Sequence, residues 1–333
     1  MGNTGSSGFS SPSGGASGGP EVAPDASGAL DGGASAGDAA SAADASANGT
    51  GSDGGPDSNV ASSGVPDAAE GDGGPPWVDL FNGTDLTGFV VYSSVTHTTT
   101  AGTLNTGAAA LALFQPENGM IHVYADAPDM SSVPLAILET TASYTTYNLS
   151  WDYKWGTKKF AYNGMSAYAD VTNYPRDAGL LWALHGDLTQ VWPDCIEFQN
   201  KWGTTGDVFA IYSQAKSLGD PKDPTTYLPA ANGGTPMVID GSTGFVQHHR
   251  SADWELTADL EGGISTTGAG TDWNSCLLQV NAGAATYTVN GHVVNQVLAV
   301  MDTNGNPVTS GPVAWQAESA EVYYRNLRIQ VTK

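Results

Sequence analysis

The abrupt change in composition near residue 75 constrains the fold more than any other feature of this sequence. Residues 1–74 consist almost entirely of Gly, Ser, Ala, Asp and Pro, with Phe9 as the only aromatic residue and Leu30 as the only leucine. Such a segment has too few apolar side chains to offset the entropy lost on ordering it. We therefore predict a disordered linker over residues 1–74 and one folded domain over residues 75–333.

The charge of the chain limits the classes of partner that we expect it to bind. The net charge is −23, and the first 74 residues carry ten acidic residues without a single Lys or Arg. Such a chain repels phosphate backbones and anionic lipid surfaces, so we expect no nucleic-acid partner. A neutral carbohydrate, or a cation held by acidic side chains, is compatible with this charge. No stretch reaches the ~20 apolar residues that a transmembrane helix needs.

The linker also suggests a location. Its composition resembles the spacer that follows a bacterial lipoprotein anchor, which predicts an extracytoplasmic protein: periplasmic, secreted or surface-tethered. No apolar signal-peptide segment is visible, so we expect the true signal sequence to lie upstream of Met1. Cys195 and Cys276 either form one disulfide in an oxidising compartment or are two buried free thiols in different strands. Nothing in the pattern indicates an oligomeric state.

Short strands dominate the folded part. Apolar side chains alternate with polar ones from Tyr147 to Trp155, which is typical of a strand with one buried face. Further strands are predicted over residues 120–124, 136–139, 179–184, 195–199, 207–212, 276–280, 285–289, 313–316 and 322–331. Asn290-Gly291 favours a type I′ hairpin turn. Longer loops are expected over residues 93–117, 157–177 and 214–250. Together these patterns predict an all-β sandwich of jelly-roll type.

One predicted strand concentrates polar side chains. If Ile196 and Phe198 point into the core, then Glu197, Gln199 and Lys201 share the opposite face. A carboxylate, an amide and an ammonium group in one row could bind sugar or transfer protons. The same pattern is also typical of a solvated face of an antiparallel sheet.

Other candidates lie near strand ends. His185 follows the predicted strand 179–184, where site residues often occur, although a lone loop histidine is commonly just solvated. Trp192, like Trp182, Trp202 and Trp315, could stack on a pyranose ring. The Glu-x-Asp-x-x-Glu pattern that pairs two carboxylates in sandwich-fold glucanases does not occur in the chain.

Seven segments in a fixed order resemble the 3-keto-disaccharide hydrolase family, long catalogued as a domain of unknown function. They are LFNGTDLTGF (80–89), AGLLWALHG (178–186), WPDCIEFQ (192–199), TGDVFAIY (205–212), DWNSCLLQVNAG (272–283), YTVNGHVV (287–294) and GPVAWQAESAEVYYRNLRI (311–329). The resemblance covers residues 77–333 and implies a concanavalin A-like jelly-roll fold. Phe89 stands where the family usually has Trp.

The resemblance also implies a reaction, the cleavage of a glycoside already oxidised to a ketone at C3. The ketone acidifies the C2 proton, so elimination needs a base, an electrophile for the enolate and an acid for the leaving group. On this basis we predict a base or metal ligand (Glu197), an acid or base (His185), enolate stabilisers (Lys201 and Arg325), a sugar-binding amide (Gln199) and orienting or cation-holding carboxylates (Asp207 and Glu318). A divalent metal ion is compatible with the reaction, but no ligand spacing requires one.

Two other functions are compatible with the sequence. A sandwich on a long linker also suits a non-catalytic, lectin-like carbohydrate-binding module, which would bind sugar and leave it unchanged. A structural surface protein is the third candidate, favoured if no pocket exists near Glu197.

Overall fold

A computed structural model describes residues 74–93, 113–162, 176–201, 204–219, 235–248, 254–255, 260–261, 264–265, 273–318 and 320–332. Apart from Gly74, the predicted linker therefore lies outside the described residues. Every regular element in these ranges is a β-strand. In the same ranges, no helix has the length and hydropathy to cross a membrane.

The first ten strands run from the start of the described part to residue 201. They are β1 (Val78–Asp79), β2 (Phe89–Ser93), β3 (Phe114–Glu117), β4 (Met120–Val123), β5 (Ser132–Val133), β6 (Ala136–Thr140), β7 (Thr146–Lys159), β8 (Ala161–Tyr162), β9 (Asp177–His185) and β10 (Asp194–Lys201).

Eleven further strands complete the fold. They are β11 (Val208–Ile211), β12 (Gln214–Gly219), β13 (Thr235–Asp240), β14 (Phe245–His248), β15 (Leu260–Glu261), β16 (Ile264–Ser265), β17 (Asn274–Asn281), β18 (Ala284–Val289), β19 (His292–Met301), β20 (Ala314–Ala317) and β21 (Ala320–Val331).

Two antiparallel sheets form a jelly-roll sandwich, as predicted. The ten-stranded sheet has the order β13-β12-β19-β18-β17-β7-β21-β4-β3, with β1 paired to β21. The seven-stranded sheet has the order β14-β11-β10-β9-β20-β6-β2. Neighbours such as β20 and β9 are distant in sequence, so the strand order depends on long-range pairing.

The main core lies between the two large sheets, and aromatic side chains dominate it. From the seven-stranded sheet, Ile196 and Phe198 of β10 point inward and are fully buried. Phe198 packs edge-on against Trp151 of β7, with ring centroids 5.1 Å apart, and stacks on Tyr287 of β18 at 4.3 Å. Such pairs add about 0.5–1.5 kcal/mol each beyond the area they bury. The predicted inward direction of Ile196 and Phe198 is confirmed.

Two local predictions have different outcomes. Asn290 and Gly291 have φ values of 48° and 82°, as a type I′ turn requires. The predicted loop over residues 214–250 is wrong in part, because β12, β13 and β14 lie within it. Two of these strands occupy the end of the ten-stranded sheet, where Lys216 and Val238 are exposed and the apolar alternation is weak. β3 and the end of β7 likewise extend into the other two predicted loops.

The seven-stranded sheet is buried on both faces. Its outer face, directed away from the ten-stranded sheet, carries a second apolar cluster of Tyr92, Ile137, Leu181, Leu184, Cys195, Phe209, Ile211 and Ala314. Cys195 belongs to this cluster, whereas Cys276 lies in the main core on the other sheet. Both are free thiols, so the second of the two cysteine alternatives is observed.

Candidate functional site

A set of buried polar side chains lies on the outer face of the seven-stranded sheet. We call it the buried polar cluster; it consists of Glu139, Asp177, Glu197, Gln199, Lys201, Gln316 and Glu318. The shared face predicted for Glu197, Gln199 and Lys201 is confirmed, since their β10 neighbours Ile196 and Phe198 point into the core. The interpretation as a solvated face is wrong, because only 3% of Glu197 and of Gln199 is exposed.

Gly179 forms the floor of the cluster. It lies on β9 between β10 and β20, with its Cα paired opposite Gln199. A Cβ atom added to Gly179 would lie 2.2 Å from Oε1 of Gln316 and 2.4 Å from Oε1 of Glu197. The carboxylate and the amide therefore converge over Gly179 and occupy the space that a side chain there would take.

A second polar row lies two residues farther along these strands. Lys201 Nζ is 2.9 Å from Asp177 Oδ2, and the side chains of both residues are almost fully buried. Asp177 also pairs through its backbone with Glu318, which follows β20. This ion pair places the one ammonium group of the cluster beside Gln199 and Glu318, as an enolate stabiliser would require.

Asp207 continues the row that contains Gln199. The backbone N–H of Gln199 donates to Asp207 O at 3.0 Å. The Asp207 carboxylate is fully buried and accepts a hydrogen bond from Gln247 Nε2 at 2.7 Å. Its contact with Gln247 is suited to an orienting role at the edge of the cluster.

Sequence reasoning missed three members of the cluster, Glu139, Asp177 and Gln316. Glu139 and Gln316 lie in predicted strands, and the period-2 alternation there could have placed Glu139 with Ile137 and Gln316 with Ala314. Burial raises the pKa of Glu139 to about 7. This carboxyl group is therefore divided between its acid and carboxylate forms near neutral pH.

Several atoms of the cluster have unused hydrogen-bonding capacity. Among the described residues, Glu139 Oε2, Gln199 Oε1 and both polar side-chain atoms of Gln316 are buried without a hydrogen-bond partner. A buried polar group left unpaired costs about 1–3 kcal/mol. Three such side chains on one face indicate a surface built to bind a polar ligand. Sugar hydroxyls, which both donate and accept, match this mixture of carboxyl and amide groups.

His185 and Trp192 lie toward the other end of the sheet. Glu197 pairs with Leu181, which precedes His185 by four residues on β9, roughly 10–13 Å along the strand. His185 Nδ1 is 2.9 Å from Ala183 O. Half-buried Trp192 packs edge-on against Phe245. The structure thus does not bring His185 to Glu197.

Arg325 lies on β21 of the ten-stranded sheet, away from the buried polar cluster. Its Nε donates to Asp152 Oδ2 at 3.1 Å, and its guanidinium lies 3.8 Å from the ring centroid of Trp273. The predicted grouping of Arg325 with Glu197 is wrong, because the two residues belong to different sheets. Of the other tryptophans considered for sugar stacking, Trp182 and Trp315 are core residues, and Trp202 lies outside the described residues.

The cluster contains four carboxyl groups, but they are not arranged as a metal centre. Within the ranges that the structure describes, no group of three or more His, Cys, Asp or Glu side chains could hold a metal ion.

A comparison with protein families shows which family this chain belongs to. The model of the 3-keto-alpha-glucoside-1,2-lyase-like domain matches residues 76–330. The chain belongs to this family. It is therefore a carbohydrate-active, hydrolase-like jelly-roll protein, and the resemblance found in the sequence is confirmed. No curated protein matches the chain.

The solved structures that match this chain share little sequence with it. A candidate glycosyl hydrolase from Parabacteroides distasonis is 15% identical, with 77% of this chain and 94% of that chain covered and a TM-score of 0.40. A Bacillus subtilis protein of unknown function with a galectin-like fold is 12% identical, with 77% and 94% covered and a TM-score of 0.37. The Bacillus licheniformis β-glucanase is 10% identical, with 78% of this chain and 99% of that chain covered and a TM-score of 0.34.

Proposed function

We propose that this chain cleaves 3-keto-α-glucosides by removing the C2 proton and expelling the group at C1. The observation that carries the proposal is the convergence of Glu197 and Gln316 over Gly179 on a buried face with unpaired polar atoms. The family description supports this substrate class and this choice of bond.

Glu197 is the base in this proposal. Its carboxylate is almost fully buried, and a carboxylate positioned beside the reacting carbon can act as the general base. The C3 ketone makes the proton on C2 more acidic, so one carboxylate can remove that proton. The electron pair of the C2–H bond then passes into an enolate with its charge on the C3 oxygen.

The enolate oxygen needs donors. Gln316 Nε2 is a buried donor without a partner among the described residues, and Lys201 lies two positions from Gln199 on the same strand face. Donors that are already in place stabilise the developing charge without reorganising. Gln199 and Gln316 also provide amide groups that can orient the ring hydroxyls.

The test uses the full chain with methyl 3-keto-α-glucoside and methyl α-glucoside. We expect cleavage of the ketone only, and a loss of about 10²–10⁴-fold in kcat for Glu197→Gln. Glu117→Gln, a half-exposed carboxylate on the ten-stranded sheet, is the control and should retain activity.

Two results would contradict the proposal. Equal cleavage of both glucosides would indicate ordinary hydrolysis, for which the ketone is unnecessary. Binding of either sugar, measured by calorimetry, without any product would favour the lectin-like module instead.

A further inference from the structure

Glu139 and Glu197 lie in the same row of paired positions across the seven-stranded sheet. Glu139 pairs with Ala314 on β20, Ala314 with Leu181 on β9, and Leu181 with Glu197 on β10. The two glutamates are therefore separated by three strand spacings, roughly 14 Å between Cα atoms. Since each lies on the outer face, their carboxyl groups border the same surface from opposite sides.

Ala314 and Leu181 lie directly between them, and Leu181 is a fully buried residue of the second apolar cluster. Ala314 is the direct neighbour of Glu139, and Gly179 is the diagonal neighbour of Glu197. Gln316 lies between the two glutamates, with its side-chain oxygen over Gly179. Inverting glycosidases, which hold a sugar between a carboxylic acid and a carboxylate on opposite ring faces, separate the two carboxyl groups by about 6.5–9.5 Å. Two glutamate side chains that extend toward each other from this Cα spacing can reach a similar separation.

The surroundings of Glu139 suit a group that donates a proton. Only 4% of the residue is exposed, and its Oε2 has no hydrogen-bond partner among the described residues. Tyr92 and Cys195 are the titratable groups of this face whose pKa values are raised in part by the Glu139 charge, after burial as the main cause. Both are therefore neutral near pH 7. With its own pKa raised to about 7 by burial, Glu139 is partly protonated there.

We propose that Glu139 is the general acid that protonates the leaving-group oxygen while Glu197 removes the C2 proton. This assignment rests on the proposed function. In an α-glucoside chair, the C1 oxygen and the C2 hydrogen are both axial and lie on opposite ring faces. The acid and the base must then lie on opposite sides of the ring, an arrangement that two glutamates bordering one surface from opposite sides allow.

The proton transfers balance over the whole reaction. The Glu197 carboxylate takes the C2 proton, the electron pair forms the C1=C2 bond through the enolate, and the C1–O bond breaks. The departing oxygen takes the proton of the Glu139 carboxyl group, which gives a free alcohol and an unsaturated 3-keto sugar. When water adds back, Glu139 accepts a proton from the water whose oxygen bonds to C1, and Glu197 returns its proton to C2. Both groups are then in their starting forms.

The experiment compares two leaving groups on the full chain. Methanol leaves poorly unless its oxygen is protonated, whereas 4-nitrophenolate leaves without a proton. We expect Glu139→Gln to slow cleavage of methyl 3-keto-α-glucoside by about 10²–10⁴-fold, and cleavage of the 4-nitrophenyl analogue by less than about tenfold. Glu197→Gln should slow both substrates, and Glu117→Gln should slow neither.

A second readout needs no variant. For the unaltered chain, kcat/KM for the methyl substrate should fall as the pH rises through about 7, where Glu139 loses its proton, and this fall should be absent with the 4-nitrophenyl substrate. Thermal unfolding of Glu139→Gln shows whether the variant is folded, and the pH profiles decide the question if it is not.

The outcomes separate the two proposals. If the unaltered chain cleaves neither ketone, the proposed function fails and the Glu139 assignment fails with it. If the unaltered chain cleaves both ketones but Glu139→Gln slows both equally or neither, only the assignment to Glu139 is overturned. Identical pH profiles for the two leaving groups would overturn it in the same way.

Discussion

His122 Nε2 lies 2.9 Å from Glu321 Oε1, and both side chains are buried on the ten-stranded sheet. The other ring nitrogen, Nδ1, lies 2.7 Å from Glu117 Oε2. Two carboxylates can only accept, so both nitrogens of His122 donate and the ring is an imidazolium. Burial alone would lower the pKa of His122, but the hydrogen bonds to Glu321 and Glu117 raise it.

This network predicts acid-sensitive stability. Burial alone would raise the pKa of Glu321. Two hydrogen bonds, one from His122 and one from the backbone N–H of Lys158, outweigh this effect together with the positive charge of Lys158, and the pKa is lowered to about 2. A depressed carboxyl pKa contributes stability above its unfolded value of 4.5 and loses it as the pH falls toward 2. We expect Glu321→Gln to lower the free energy of unfolding by about 2–3 kcal/mol at pH 7, with much less difference at pH 2.

Glu117→Gln is the matched control in urea unfolding, because Glu117 is about half exposed. We expect a cost below about 1 kcal/mol from it. Equal costs for the two variants at both pH values would show that the buried ion pair does not act as described. The His122 contribution should be complete below pH 6.5 and lost as the pH rises through its raised folded-state pKa.

For Glu139 we predict the opposite pH dependence of the free energy of unfolding. Its pKa rises from 4.5 to about 7 on folding, so its carboxyl group favours the folded state below pH 4.5 and this contribution is lost as the pH rises through 7. Glu139→Gln removes the titration. Relative to the unaltered chain, the variant should gain about 2–3 kcal/mol in the free energy of unfolding between pH 4.5 and pH 8. Parallel stability curves for the two proteins over this range would contradict the raised pKa.

Gly179→Ala should separate activity from stability. The new Cβ would meet the ends of two side chains, Gln316 and Glu197, rather than backbone. These side chains can move aside at little cost to folding, but the carboxylate and the amide are then displaced from their positions over Gly179. We expect kcat/KM for the 3-keto substrate to fall by about 10²-fold and the melting temperature to change by only a few degrees. Gly244→Ala, with nothing within 4 Å of its added Cβ, should retain both; a similar loss of activity there would contradict the steric explanation.

Neighbouring positions on β10 should respond differently to substitution. Ile196 is fully buried in the main core, so Ile196→Ala should destabilise the fold by about 2–5 kcal/mol as a cavity mutation. Glu197→Gln preserves shape on the outer face and should change stability far less while lowering kcat by about 10²–10⁴-fold. Denaturant unfolding of the two variants measures the difference. If Glu197→Gln proved the more destabilising, the carboxylate would be a structural group rather than a base.

Local patterns in the sequence predicted the strands well and the site in part. The alternation in β10 is enough to place Glu197 and Gln199 on one face, because side-chain direction depends only on strand period. The pairing of β9 with β20, and of β20 with β6, joins segments far apart in the chain. Glu139 and Gln316 therefore could not be brought to Glu197 by local reasoning. For the same reason the sequence could not show that Arg325, predicted as an enolate stabiliser, lies on the other sheet from Glu197.

The alternation of Trp315 and Gln316 on β20 carries a consequence for how this domain can diverge. Trp315 is buried in the main core, and Gln316 belongs to the buried polar cluster on the other face. Inserting or deleting one residue before them within the strand would exchange their directions, placing an indole over Gly179 and an amide in the core. Single substitutions on this strand can be neutral, but a shift of one residue in its register disrupts the core and the site together. Homologous chains are therefore expected to vary in β20 by substitution and to keep its length.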